Sequence, residues 1–189
     1  MGIVLLIAFL LSAVILGGYL IGIYNQLVQV KVNVDKSWAN IEVLEKQRYD
    51  EIPKLVKVCE GYMQYERSTL EKVIEARSRF LQAKGPADMA QASAEMGGAL
   101  KSLFALAEAY PDLKANQNFM QLQQRVSALE NEIADRREFY NESVTINNAR
   151  IQQVPYNLFA GMLAMTQREM YRVAEAEKAP PEIKFAIPA

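Results

Sequence analysis

The chain has 189 residues with 21 basic and 22 acidic side chains, a formal charge of -1 and no histidine. That length fits one domain with a real core, or one domain plus an anchor, and the balanced charge offers no field to draw in nucleic acid. The missing histidine removes serine triads, HExxH zinc sites and Glu-x-x-His di-iron bundles, and the Asp and Glu residues are spread along solvent-type helical faces, so no catalytic, cofactor or metal site is expected.

The first thirty residues carry no charge, and Ile3 to Tyr24 is 22 residues of nearly pure hydrocarbon, about 33 Å as a helix and enough to cross a bilayer core. No basic n-region precedes it and no A-x-A site follows, which argues for a retained anchor over a cleaved signal. Leu6 stands where a myristoylation motif wants Ser or Thr. Gly17, Gly18 and Gly22 form a small-residue face, and Gly18-x-x-x-Gly22 has the spacing that lets two membrane helices approach, opening a route to a homo-oligomer. Basic residues flank the span on one side only, at Lys31, Lys36, Lys46 and Arg48. The rule that such flanks stay inside predicts an outside N-terminus and a cytoplasmic domain.

Beyond the anchor, Val34, Trp38, Ile41 and Leu44, then Ile52, Leu55, Cys59 and Tyr62, and on to Leu70, Val73, Ile74, Phe80 and Leu81, recur at helical spacing. Cys59 in this stripe reads as a small buried hydrophobe. Pro53 interrupts the stripe: a proline inside a helix removes a donor and crowds the carbonyl four residues back, at about 3 kcal/mol. Leu44 and Ile52 are eight residues apart, close to two turns, so one face stays buried across Pro53 and a bent helix is favoured. A second helix capped by Asp50, with Pro53 in its donor-free first turn, is the alternative.

Lys84-Gly85-Pro86 is the first clear break. A shorter helix then carries Met89, Met96, Leu100, Leu103, Phe104 and Ala107, with Gly97 and Gly98 admitting a close neighbour, and Tyr110-Pro111-Asp112 ends it. From Leu113 follows the most regular stretch, Phe119, Leu122, Val126, Leu129, Ile133, Tyr140, Val144 and Ile151, near heptad spacing and therefore a bundle seam. The charges from Glu130 to Glu138 have mixed signs and read as a solvated face. Pro155 closes that helix, and the uncharged Tyr156 to Met165 is too short to span a membrane; it must fold onto the bundle, the favoured reading, or stay exposed as a contact surface. Arg168, Tyr171 and Val173 make the following stretch amphipathic, and no strand pattern is present.

Several segments, in order, closely resemble the LemA family: Tyr24 to Val28, Val34 to Ile41 (VDKSWANI), Arg48 to Val56 (RYDEIPKLV), Gly61-Tyr62, Glu75 to Ser78, Ala107 to Asn116 (AEAYPDLKAN), Phe119 to Gln123, Arg137 to Asn141 (REFYN) and Pro155 to Gly161 (PYNLFAG). The chain departs from that pattern at Lys54, where an asparagine usually follows the proline, at Glu51 in place of an apolar residue, and at Met165-Thr166-Gln167 in a usually aromatic region. The resemblance implies an all-α fold, an N-terminal transmembrane helix followed by an antiparallel helical bundle with long helices, with no catalytic residues to transfer. The expected organisation is residues 1-30 as anchor and juxtamembrane segment, 31-178 as the LemA-like bundle domain and 179-189 as a Pro-rich tail.

The structural or interaction candidates are Asp35, Trp38, Asn40, Asp50, Pro53, Tyr140, Asn141, Pro155, Asn157 and Gly161. Trp38 is expected in the membrane-proximal core, Asp35 and Asn40 in hydrogen bonds that fix helix contacts, and Pro53 in shaping the upper bundle. The function expected is that of a non-catalytic, single-pass scaffold or adaptor in a bacterial cell or internal membrane. It would be embedded in the bilayer through residues 3-24, with a membrane protein partner and no nucleic acid. Family members linked to internal-membrane organisation point this way; others that lie near membrane metallopeptidase genes supply the alternative, a regulatory partner of such an enzyme.

Overall fold

The computed structural model describes residues 1–172. Val173 and the Pro-rich tail at 179–189 lie outside the described residues. Among the described residues six helices follow in order: α1 (Gly2–Glu60), α2 (Arg67–Gln82), α3 (Gly85–Ala107), α4 (Pro111–Lys114), α5 (Gln117–Arg150) and α6 (Tyr156–Ala160). No strand occurs among the described residues, so the fold is all-α. The chain divides into two compact units, one of Met1–Gln47 with Ala128–Met170 and one of Arg48–Ser127 with Tyr171 and Arg172.

In the first unit, α1 and α5 run antiparallel. Their paired residues show it: Glu45 meets Arg137, Trp38 meets Tyr140 and Ser37 meets Ser143, numbers falling on one helix as they rise on the other. Leu44, Leu129 and Ile133 form the apolar cluster of this seam, as the near-heptad spacing requires. The expected solvated face on α5 is largely that: Glu132, Asp135 and Glu138 are exposed, and Glu132 pairs with Arg136 one turn on. Arg137 is the exception, since it turns towards Glu45, whose side chain is only 1% exposed.

In the second unit the core joins Ile52, Leu55, Cys59 and Met63 to Leu70 and Val73 of α2, Met96, Leu100 and Leu103 of α3, Leu113 of α4, and Phe119 and Val126 of α5. Phe104 meets Phe119 edge-on at 6.4 Å, the arrangement aromatic quadrupoles favour. The α2–α3 corner is tied by Asp88, which accepts from the backbone N–H of Lys84 at 2.8 Å and from the Arg79 guanidinium. Pro86 sits in the first turn of α3, where its missing donor is no loss. Asn116 caps α5 by accepting from the Phe119 N–H at 3.1 Å.

Several boundaries differ from the sequence reading. Helix α1 runs through Pro53 without a break, so Asp50 does not start a second helix. The first break comes earlier than Gly85: α1 ends at Glu60, and the chain turns through Gly61 to Glu66, with the Tyr62 and Met63 amides both donating to the Cys59 carbonyl. Cys59 to Met63 is four residues and Met63 to Leu70 seven, so the apolar spacing stays helical across a turn that periodicity alone does not reveal. Met63 is buried in place of Tyr62, while Tyr62, Ile74 and Leu81 are exposed. A Cβ at Gly98 would meet nothing within 4 Å, so no close neighbour is seated there. The long helix begins at Gln117, Leu113 being the buried anchor of α4, and α5 ends at Arg150, five residues before Pro155, which instead precedes α6 after a cis peptide bond.

Candidate membrane-proximal interaction site

Every residue of α1 from Ile3 to Leu16 is exposed, and the first fully sequestered side chains are Ile23 and Leu27. The chain that covers this level comes from the far end of the sequence. Tyr156 donates its hydroxyl hydrogen to Oε1 of Gln26 at 2.8 Å, and Nζ of Lys31 donates to the Leu163 carbonyl at 3.2 Å. Arg150 lies over the Tyr156 ring, 4.4 Å from its centre, a cation–π contact. Residues 156–163 therefore sit beside α1 just past the apolar run, which fixes a placement that the sequence left open. One side of the segment packs, with Ala160 buried and Phe159 partly so. The other does not: Val154, Leu158 and Met162 are 78%, 70% and 76% exposed.

After α6 the backbone turns at Ala164, whose φ of 50° is left-handed and costs a non-glycine residue about 1–2 kcal/mol. The Met165 amide closes the turn on the Ala160 carbonyl at 2.9 Å. From there to Met170 the chain has no helical or strand pairing, and side chains of α5 bond its backbone instead. Asn147 donates to the Thr166 carbonyl at 3.0 Å, and Asn148 both donates to the Arg168 carbonyl at 2.9 Å and accepts from the Arg168 amide at 2.8 Å. Tyr140 donates to the Glu169 carbonyl at 2.9 Å, and Arg168 pairs with Asp35 at 3.0 Å. Burial pushes the Tyr140 phenol above its usual range; Arg168 opposes that shift while Glu169 and Asp35 add to it, so the hydroxyl stays a donor. Trp38 packs on Tyr140 with ring centres 5.3 Å apart.

The candidate residues divide accordingly. Asp35, Trp38 and Tyr140 meet around the 165–170 segment, and Asn141 is partly buried next to Tyr140. Pro155, Asn157 and Gly161 belong to α6 and its flanks; Asn157 donates its backbone N–H to the Gln153 carbonyl at 2.8 Å. Asn40 is exposed in a shallow groove of about 270 Å³ with Asn33, Lys36, Ser37, Arg136, Phe139 and Ser143. Asp50 and Pro53 belong to the other unit and are exposed on α1. Asp35 thus fixes an irregular segment and not a neighbouring helix.

Residues that the sequence reading passed over carry much of this geometry. Asn147 is 2% exposed and lies seven residues after Tyr140, in line with Phe119, Val126 and Ile133, so the heptad frame already marked it as buried. Glu45 and Arg48 fall four and seven residues after Ile41 on the apolar face, and both are buried. Among the described residues, no three His, Cys, Asp or Glu side chains are grouped to hold a metal ion.

Comparisons with known proteins identify relatives of this chain. The Protein LemA of Metamycoplasma hominis is 26% identical over 162 residues, covering 84% of this chain and 73% of that protein. Magnetosome protein MamQ 2 and Magnetosome protein MamQ 1 of Paramagnetospirillum magneticum are each 23% identical over 202 residues, covering 93% of this chain and 74% of theirs. The LemA family model matches residues 37–185. Because that match takes in most of the chain, the protein belongs to the LemA family.

Proposed function

We propose that the protein is a single-pass membrane protein whose helical domain serves as a non-catalytic scaffold or adaptor on the cytoplasmic side of a bacterial cell or internal membrane. The observation that carries this reading is the make-up of α1. It holds an apolar window of 18 residues, enough to cross a bilayer, none of which is buried within the fold, whereas the core helix of a soluble protein would bury such a stretch. The same unbroken helix then enters packed cores from Ile23 to Cys59. The kinship with magnetosome proteins supports a role in organising a membrane-bound assembly. Asp35, Trp38, Tyr140 and Asn141 would hold the juxtamembrane part of the domain in one shape, and the Gly18–Gly22 face would serve contacts between copies.

Cross-linking in intact membranes, followed by identification of the captured proteins, tests this. The expected result is capture of copies of this chain or of membrane proteins in stable ratio to it. Stoichiometric recovery of a membrane metallopeptidase would replace the scaffold by a regulatory subunit, and turnover of a defined substrate by the pure protein would refute the non-catalytic reading.

A further inference from the structure

We propose that α6 and its flanks form a second membrane contact, with Val154, Leu158 and Met162 immersed in the headgroup boundary of the same bilayer that the N-terminal helix crosses. The inference rests on that helix being a membrane span.

The level of the segment follows from its contacts with α1. At a rise of about 1.5 Å per residue, Gln26 lies about 3 Å beyond Tyr24 and Lys31 about 10 Å beyond it. The interfacial layer outside the hydrocarbon is about 5–8 Å thick on each side. Tyr156 on Gln26 therefore holds the start of the segment at the depth of that layer, and Leu163 on Lys31 holds its end near the layer's outer edge.

Its chemistry suits that depth. No charged residue occurs between Arg150 and Arg168, and the three exposed aliphatic side chains are four residues apart along this uncharged run. Side chains so placed at an aqueous surface would leave an unexplained apolar patch, whereas at the boundary they exchange water for acyl chain at about 25 cal/mol per Å². Tyr156 adds the amphipathic ring that such interfaces favour, and Arg150 a cation within reach of lipid phosphates. The continuity of this patch with the exit of the span selects lipid over a protein occupant.

The test uses the full chain in phosphatidylcholine–phosphatidylglycerol nanodiscs, in a Cys59→Ala background, with single spin labels at Val14→Cys, Leu158→Cys, Met162→Cys and Ala134→Cys. Collision with oxygen, which partitions into lipid, is compared with collision with a water-soluble nickel chelate. Labels at 158 and 162 are expected to favour oxygen several-fold over the label at 134, at a depth shallower than that of the label at 14. If 158 and 162 collide with nickel as freely as 134 while 14 remains in lipid, the second contact is refuted and the span stands. If 14 itself is accessible to nickel, the span fails and the inference falls with it. Shielding of 158 and 162 from both reagents would mean that protein covers them, a second copy included, and would equally overturn it.

Discussion

Arg125 closes on Glu51 from a different helix, its Nε 3.0 Å from Oε1 of a carboxylate whose side chain is only 5% exposed. Lys54 takes the other oxygen at 3.0 Å from one turn along α1. Glu51 and Lys54, the two positions near Pro53 that the sequence reading singled out, are partners of each other. A buried carboxylate needs such compensation, whereas an apolar residue at 51 needs none. Arg125→Ala is expected to destabilise the native protein by about 1–3 kcal/mol, the range for a charge-assisted hydrogen bond, and to have little effect in a Glu51→Leu background. A denaturation double-mutant cycle measures this, and equal effects in both backgrounds would show that Arg125 acts elsewhere.

Acid sensitivity is predicted at the α2–α3 corner. Hydrogen bonds from Arg79 first, then from the Lys84 backbone, hold the Asp88 carboxyl below its usual range. A depressed carboxyl stabilises the fold fully above its unfolded value, about 3.9, and that contribution disappears as pH falls through the lower folded value. Thermal unfolding of the native chain and of Asp88→Asn should therefore differ by a constant amount at neutral pH and converge below that point. A difference that persists into strong acid would assign the corner's stability to something other than this charge.

The clasp on residues 165–170 makes a local prediction. The Arg168 amide has Asn148 Oδ1 as its acceptor at 2.8 Å. Asn148→Ala should raise hydrogen exchange at Arg168 and speed tryptic cleavage after it, with global stability changing by about 1 kcal/mol at most. Asn147→Ala should affect stability more, because Asn147 is buried while Asn148 is partly exposed. Unchanged exchange at Arg168 would mean that the segment is held by other contacts, Asp35 included.

The helical class and the α5 seam were legible because apolar side chains at 119, 126, 133 and 140 repeat without interruption. Asn147 continues that repeat with a polar side chain, which an apolar pattern does not pick out, and its amide is satisfied by a segment 19 residues on. The Gly61 turn was invisible for a different reason: Met63 kept the helical spacing although the helix ends at Glu60 and the chain turns there. Long-range placement was out of reach altogether. Nothing local to Tyr156 indicates that its hydroxyl meets Gln26, 130 residues earlier, because such pairing is decided by the way the whole chain returns to its own start. The expected departures at 51 and 54 were visible, but their mutual pairing required the helical register that places residues three apart on one face.

Thiol chemistry gives the remaining prediction and bears on orientation. Cys59 is 0% exposed, and burial pushes its thiol up to about 12. At pH 8 the folded chain would then hold about one thiolate in ten thousand, against about a quarter for an ordinary thiol near 8.5. A maleimide should leave the native protein unlabelled and label it once guanidinium unfolds it. Because the unfolded thiol ionises first, the fold is favoured up to the ordinary value and loses this advantage as pH rises from there towards about 12. Cys59 is therefore silent as a topology probe. Tyr65, 96% exposed in the turn after α1, is the better position: in intact cells, an impermeant maleimide should label Tyr65→Cys only after the membrane is opened. Labelling from outside before that would place the domain on the opposite face, since the fully exposed thiol at 65 would ionise normally and react wherever the reagent reaches it.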